Sequence, residues 1–473
     1  MSQRFLALDL GAESGRAMLA SLDSRKLELA ELHRWPNTPV RLPDGLYWDT
    51  FRLFHEISEG IRAAGKAVAH LDGIAIDTWG VDFGLLGADG GLLANPRHYR
   101  DPRTNGLPAE VFALVPKHEL FQTTGIQTME INSLYQLFSV HRESPGLLDA
   151  AAKLLFMPDL FSYFLTGVEC SERTIASTSQ FYNPVSGRFA TDLLRRLGVT
   201  ASFLAELVDP GTQLGEILPH VAEHCGLRQS PNVFTAAGHD TASAVAAVPA
   251  DENSRWCYIS SGTWSLMGVE LDAPVINEAC QNANFTNEVG VGRRIRLLKN
   301  IEGLWLLQEC RRAWAKEGKE YSYDELIRQA EASEAIGSVI DLDAFASPGR
   351  HPERIGEYCR QTGQRVPKDA GETTRLVLQS LAVRYKEVLE TLETLTGRQI
   401  EVIHIVGGGS RNRLLNQLAA DVTGRRVVAG PAEATAAGNA LTQAMGSGDV
   451  SSLEELRAII RNSFGVEEFR PRR

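Results

Sequence analysis

Phe5-Leu-Ala-Leu-Asp9-Leu-Gly-Ala-Glu-Ser-Gly15-Arg16 is the stretch that decides the fold. An apolar run closing on a carboxylate reads as a buried strand, Phe5 to Asp9. The glycines from Gly11 to Gly15 read as a tight turn. Strands follow near Ala17–Leu22 and Leu27–Arg34. Glycine lets a backbone approach phosphates closely, and amides, hydroxyls and a guanidinium supply donors. Asp9 has the chemistry to hold Mg²⁺, directly or through water. An ordinary hairpin turn accounts for the same residues.

Working outward, the pattern recurs in the second half. Trp256–Ser260 is strand-like, Ser261-Gly262-Thr263 is a tight turn and Ser265–Glu270 is another strand. Each hairpin alone is a weak signal. Two of them, rich in glycine and hydroxyls, suggest a phosphate tail gripped from both halves of the chain. Phe51 to Val68 carries helical spacing, Gly73–Asp77 is a short buried strand, and the segment up to Leu86 is a candidate for one more. Residues 105–230 read as mainly helical, with turns at Ser144-Pro-Gly146 and Asp209-Pro-Gly211. Asn232–Ala236, then Gly238-His239-Asp240, then an apolar stretch from Thr241 make a second strand–turn–helix. Glu401–Val406 runs into Gly407-Gly408-Gly409, and the helix after it is expected to end at Gly424.

The chain has 473 residues, too many for one hydrophobic core, so two or three domains are expected. Apolar residues at 43% and charged residues at 23% are ordinary for a soluble enzyme. A formal charge of −11 disfavours nucleic acid and anionic membrane as partners. The cysteines at 170, 225, 257, 280, 310 and 359 form no CxxC pair and fit reduced thiols in the cytoplasm. The N-terminal apolar run is too short to span a bilayer and lacks a cleavage site. No short-period repeat, low-complexity tract or flexible linker is evident.

Ala237-Gly-His-Asp-Thr-Ala-Ser243 sets a single carboxylate at a strand-to-helix junction. Asp240 is the best candidate for a general base that takes a hydroxyl proton as the oxygen attacks a γ-phosphate. A helix N-cap is its competing role. Val406-Gly-Gly-Gly-Ser-Arg-Asn412 would let a planar base lie on the backbone, or is simply a connection with unusual dihedrals. Asp77-Thr-Trp-Gly-Val-Asp82 and Tyr99-Arg-Asp-Pro-Arg-Thr-Asn105 combine hydrogen-bonding groups with aromatics, as sugar recognition requires. Core packing is the commoner fate of a residue such as Trp79. Gly60-Ile-Arg-Ala-Ala-Gly65-Lys66 nearly spells a phosphate loop, but Ala67 lacks the hydroxyl and the segment ends a helix. His220 and His224 beside Cys225 lack a second ligand cluster, and His404 reads as structural.

Together DLGAESGR, IAIDTWGVDFGLL, HYRDPRTNG, MPDLFSYFLTG, AGHDTASAV, YISSGTWSLMGVE, LLKNIEGLWLLQ, HIVGGGSRNRLLNQLAADVTG and AGPAEATAAGNAL resemble the FGGY carbohydrate kinases, relatives of actin, hexokinase and the heat-shock ATPases. They run collinearly from Asp9 to Leu441. The resemblance implies an α/β fold of two actin-like, ribonuclease H-like domains with a nucleotide and sugar cleft between them. Residues 1–244 would form the sugar side and first phosphate loop, and 245–473 the adenine-nucleotide side, with the last helix able to return to the first domain. DTWGVDF, YRDPRTNG and SGTWSLMG are similar to the branch acting on L-rhamnulose. They imply transfer from ATP to its C1 hydroxyl in L-rhamnose catabolism. L-fuculose, xylulose or a polyol as acceptor, or an actin- or chaperone-like ATPase switch, are the alternatives.

The resemblance further implies Asp240 as proton acceptor. Ala12, Glu13, Ser14, Gly15 and Arg16 would form the first ATP loop, and Thr263, Gln308 and Gly408 would be further nucleotide contacts. Gly80, His239, Asp240, Thr241 and Asn300 would meet the ketose, and Asp9 would help place Mg²⁺. Glu13 departs from this logic, because a carboxylate repels phosphate; its backbone amide is the expected contact. ATP and Mg²⁺ are the implied cofactors, and a cytoplasmic monomer or small homo-oligomer the implied form.

Overall fold

The computed structural model describes residues 2–251, 254–334, 336–345, 347 and 349–472. The chain divides into two compact units. One comprises Met1–Pro249, Glu270–Leu297 and Ala434–Ser463; the other comprises Ala250–Val269, Leu298–Glu433 and Phe464–Arg473.

The first unit is built on a six-stranded sheet ordered Gln213–Glu216, Asn232–His239, Gly73–Thr78, Gln3–Leu10, Ser14–Asp23, Lys26–Pro36. The middle three strands are parallel and the outer ones antiparallel. Phe5 through Leu10 are all buried, without in–out alternation. Helices lie against both faces, so the strand shows no polar side to water. Helix Thr50–Ala67 turns Leu53, Ile57, Ile61 and Ala64 inward, and the Asp49 carboxylate accepts the Arg52 N–H at its start. Gly60 sits where an added Cβ would come within 2.7 Å of the Ala17 Cβ. That glycine therefore belongs to close packing, and the near-match to a phosphate loop is part of this helix. Helices Asp240–Ala246 and Ala434–Gly446 cross closely at Gly438, where a Cβ would lie 1.9 Å from the Ser243 carbonyl oxygen.

In the second unit Trp264–Leu271, Trp256–Ser261, Val402–Val406, Arg426–Ala429 and Glu467–Phe469 lie side by side. Trp256–Ser261 runs antiparallel to its hairpin partner and parallel to Val402–Val406. The opening pattern of each unit is thus the same: hairpin first, parallel strand next. The 27-residue helix Ala370–Thr396 buries Leu376, Leu381, Tyr385, Val388 and Leu392.

The stretch 105–230 is less purely helical than its sequence suggests. Phe83–Leu86 pairs with Lys153–Phe156, and Cys170–Glu172 pairs with Glu206–Val208. Strands of three or four residues paired across such separations leave too short a period to read. Ser144-Pro-Gly146 opens a helix, with Pro145 in its first turn where no amide partner is lost.

Candidate active site

Three parallel strands bring their carboxyl ends together in the first unit. Register sets Asp9 opposite Asp77, and Thr78 opposite His239. Asp240 is the next residue and begins the helix Asp240–Ala246. Burial holds the Asp77 carboxyl well above the ordinary 3.8, and the charges of Asp9 and Asp240 push it further. Asn439 donates to Asp77 Oδ2 at 2.6 Å, while the buried Oδ1 has no partner among the described residues. Asp9 is ion-paired with Arg16 from the adjoining strand.

Asp240 is likewise raised above 3.8, by burial first; His239 opposes the rise, Asp9 adds to it, and Thr241 opposes it. Its Oδ1 accepts the Thr241 N–H and, at 3.1 Å, the Thr241 hydroxyl. These bonds satisfy a first-turn amide, so the capping role is partly real, although His239 occupies the N-cap position. Among the described residues, Oδ2 takes no hydrogen bond, and the side chain is 27% exposed. One oxygen is anchored and the other is open, which suits a proton acceptor.

His239 presents Nε2 at 3.4 Å from Asp240 Oδ1, and its Nδ1 lies 3.2 Å from Glu288. Gly80 is close by; a Cβ there would sit 3.5 Å from His239 Nε2. Gly80, His239, Asp240 and Thr241 are therefore gathered at one sheet edge. Glu172, buried, fixes this junction by accepting the N–H groups of Thr174, Ile175 and Gly238 at 2.8, 3.1 and 2.9 Å. Thr174 in turn accepts the His239 N–H at 3.2 Å.

The DTWGVDF stretch has a structural centre. Asp82 Oδ2 accepts the indole N–H of Trp48 at 2.6 Å and of Trp79 at 2.9 Å, and Oδ1 accepts from Gln136 at 2.8 Å. Burial raises Asp82 to about 6 against the pull of these donors. Trp79 is buried against Trp48, ring centres 4.0 Å apart, so core packing describes it.

The turn Gly11-Ala12-Glu13 is braced by Asn37, whose N–H donates to the Glu13 carbonyl at 2.9 Å and whose side-chain amide donates to the Gly11 carbonyl at 2.6 Å. Gly15 has a packing reason: a Cβ would strike the Trp35 ring at 2.2 Å. Ala12, Glu13, Ser14 and Arg16 are half-buried.

The second unit gathers Thr263, Gln308 and Gly408 around its own hairpin. The Gln308 side-chain amide donates to the Thr263 hydroxyl at 3.3 Å, and its Oε1 is buried and unpartnered among the described residues. The N–H groups of Gly303 and Trp305 both donate to the Thr263 carbonyl at 3.1 Å, tying the start of helix Trp305–Lys316 to the turn. Gly409 abuts Ser261, whose Oγ would lie 2.0 Å from a Cβ there. Gly408, by contrast, is exposed and has nothing within 4 Å of an added Cβ. Internal packing does not demand glycine at that position. Asn300 is half-buried on the strand Ile295–Glu302. His404 is a buried strand residue set edge-on to Trp256.

Sequence reading missed Asn37, Glu172, Glu288, Arg296 and Asn439. Asn37, Asn439 and the Glu288–His239 contact depend on long-range pairing, whereas Glu172 caps the short helix after it and also reaches Gly238, 66 residues on.

This α/β arrangement, two units each opening with a hairpin beside a parallel strand, is the fold of two-domain sugar kinases. A Lactobacillus acidophilus xylulose kinase structure superposes with a TM-score of 0.80 at 15% identity, covering 99% of this chain and 94% of that one. Plasmodium falciparum glycerol kinase with ADP gives 0.77 at 16%, with coverage of 99% and 94%. The N-terminal domain model of the FGGY family of carbohydrate kinases matches residues 4–247, and the C-terminal domain model matches 257–447. The chain belongs to the FGGY family of carbohydrate kinases. A rhamnulokinase from Bacteroides thetaiotaomicron is 46% identical over 473 residues, all of this chain and 96% of the relative. One from Bacillus subtilis is 38% identical, covering 99% and 95%.

Proposed function

We propose that this kinase transfers the γ-phosphoryl group of ATP to the C1 hydroxyl of L-rhamnulose, with Asp240 accepting the hydroxyl proton. The observation that carries the base assignment is the open Oδ2 of Asp240, beside His239 and Gly80 at the carboxyl edge of the first sheet. The substrate follows from the relatives, which are rhamnulokinases at 46% and 38% identity over nearly the full length. Gly80, His239, Thr241 and Asn300 orient the ketose. Backbone amides of Ala12 to Gly15, with Arg16, hold phosphates. Thr263, Gln308 and Gly408 serve the rest of the nucleotide. In this reading residues 1–244 form the sugar domain and 245–473 the nucleotide domain.

The reaction needs little covalent help from the protein; positioning and charge neutralisation do most of the work. A proton leaves the C1 oxygen for Asp240 Oδ2 as that oxygen bonds to phosphorus, and ADP departs. Asp9, opposite Asp77 in the sheet, offers hard carboxylate oxygens of the kind Mg²⁺ takes, although the described residues hold no cluster of three or more protein ligands, so phosphates and water would have to supply the rest. Asp9 would hold it together with phosphates and water, and the ion would neutralise phosphate charge. Among the described residues no helix is long and apolar enough to cross a membrane. We place the enzyme in the cytoplasm, as a monomer or small homo-oligomer.

The test is mass spectrometry of the product made from ATP and L-rhamnulose, with a panel of L-fuculose, xylulose and polyols run in parallel. The expected result is a C1 phosphate ester and a clear preference for L-rhamnulose. Preference for another acceptor overturns the substrate, and ADP release without any phosphosugar overturns the kinase reading.

A further inference from the structure

The surroundings of His239 carry an assignment that the reaction scheme above does not use. Arg296 is fully buried and grips the Val289 carbonyl with both Nε at 3.2 Å and Nη2 at 3.1 Å. The same Nη2 donates to Glu288 at 3.1 Å. A guanidinium nitrogen of this kind only donates, and with Nε also on the Val289 carbonyl, Nη2 has a hydrogen to share. Nη2 lies 3.3 Å from His239 Nδ1, within hydrogen-bond reach. The remaining partner of Nδ1 is Glu288, an acceptor at 3.2 Å. Nδ1 thus lies between a donor and a slightly nearer carboxylate, and the carboxylate favours a proton on that nitrogen.

We infer that Glu288, locked by Arg296, is a positioning residue of the phosphoryl transfer: it takes the Nδ1–H of His239 and so turns Nε2 toward Asp240 and the sugar. The tautomer and ring orientation of a histidine are set by the hydrogen bond its other nitrogen makes. Glu288 is suited to this, since its carboxyl stays below the usual 4.5: burial opposes ionisation, but the His239 bond and the Arg296 charge outweigh it. His239 thus meets charge from Glu288, Arg296 and Asp240. Its Nε2 faces Asp240 Oδ1 at 3.4 Å, the same oxygen that Thr241 anchors.

This inference rests on Asp240 as the base, and its test separates the two. In enzyme labelled with ¹⁵N in its histidine rings, long-range ¹H–¹⁵N correlation reads which nitrogen is protonated, with His239→Gln assigning the signal. Wild type should show a protonated Nδ1. A bare Nδ1 overturns the assignment whatever Asp240 does. The paired variant Glu288→Leu/Arg296→Met removes both buried charges together, avoiding a lone buried ion. It should lower kcat at least about tenfold, as expected when a histidine tautomer is no longer set. The KM for ATP should stay within about twofold of wild type. A folded paired variant with unchanged kcat overturns the positioning role. An Asp240→Asn enzyme that keeps its turnover removes the base instead, and the spectrum still decides what Glu288 does.

Discussion

Replacing Asp240 by Asn changes one oxygen of the candidate site and almost nothing else. Oδ1 is the oxygen bound to the Thr241 N–H and hydroxyl, and an asparagine keeps an acceptor there. The amide nitrogen then takes the place of the open Oδ2. Stability should hardly suffer, because burial disfavours the charged form that the substitution removes. The melting temperature should stay within about 3 °C of wild type. Turnover should fall by about 10²–10⁴-fold, the usual share of a general base, or about 2.7–5.4 kcal/mol in the barrier. Coupled ADP detection with L-rhamnulose gives kcat, and calorimetry on the same preparation gives stability. A folded Asp240→Asn enzyme with near-normal turnover would refute the base assignment, because the substituted amide cannot accept a proton in its place.

The pH profile should carry the same signature. A protonated Asp240 cannot act as base, and its pKa is raised above 3.8, so kcat/KM should fall as pH drops through that raised value. An acidic limb that survives in Asp240→Asn would assign it to another group. Gly408→Val puts a side chain where nothing internal is within 4 Å. It should leave melting unchanged within about 3 °C while raising the KM for ATP about tenfold or more, with sugar KM unaffected; an unchanged ATP KM removes Gly408 from the nucleotide contacts. Gly438→Ala drives a Cβ to 1.9 Å from a backbone carbonyl that cannot swing aside. It should destabilise the first unit by about 1–3 kcal/mol in denaturant unfolding, even though alanine is the better helix former.

Much of this molecule is legible in one dimension. The strand from Phe5 to Asp9, the glycine turn after it and the later hairpin around Gly262 are local objects, set by apolar runs, glycine and turn chemistry. So is the junction that carries Asp240, since a carboxylate between a buried strand and an apolar helix is visible as a string of letters. The short strands between 105 and 230 escape notice because their pairing partners, not their own residues, make them strands. A stacked, buried indole bears out core packing as the fate of Trp79, and a ring 2.2 Å from a would-be Cβ gives Gly15 a packing reason that its neighbours in sequence do not show.

What the linear order of residues determined was the list of reactive groups and the elements that bear them, because strand, turn and helix signals act over a few neighbouring positions. Only the tertiary structure decided what surrounds each group. Asp77 meets Asn439, 362 residues away, and His239 meets Glu288 and Arg296 through strands that sequence spacing does not link. Charge state and orientation depend on distance through space, and distance through space is a property of the folded chain.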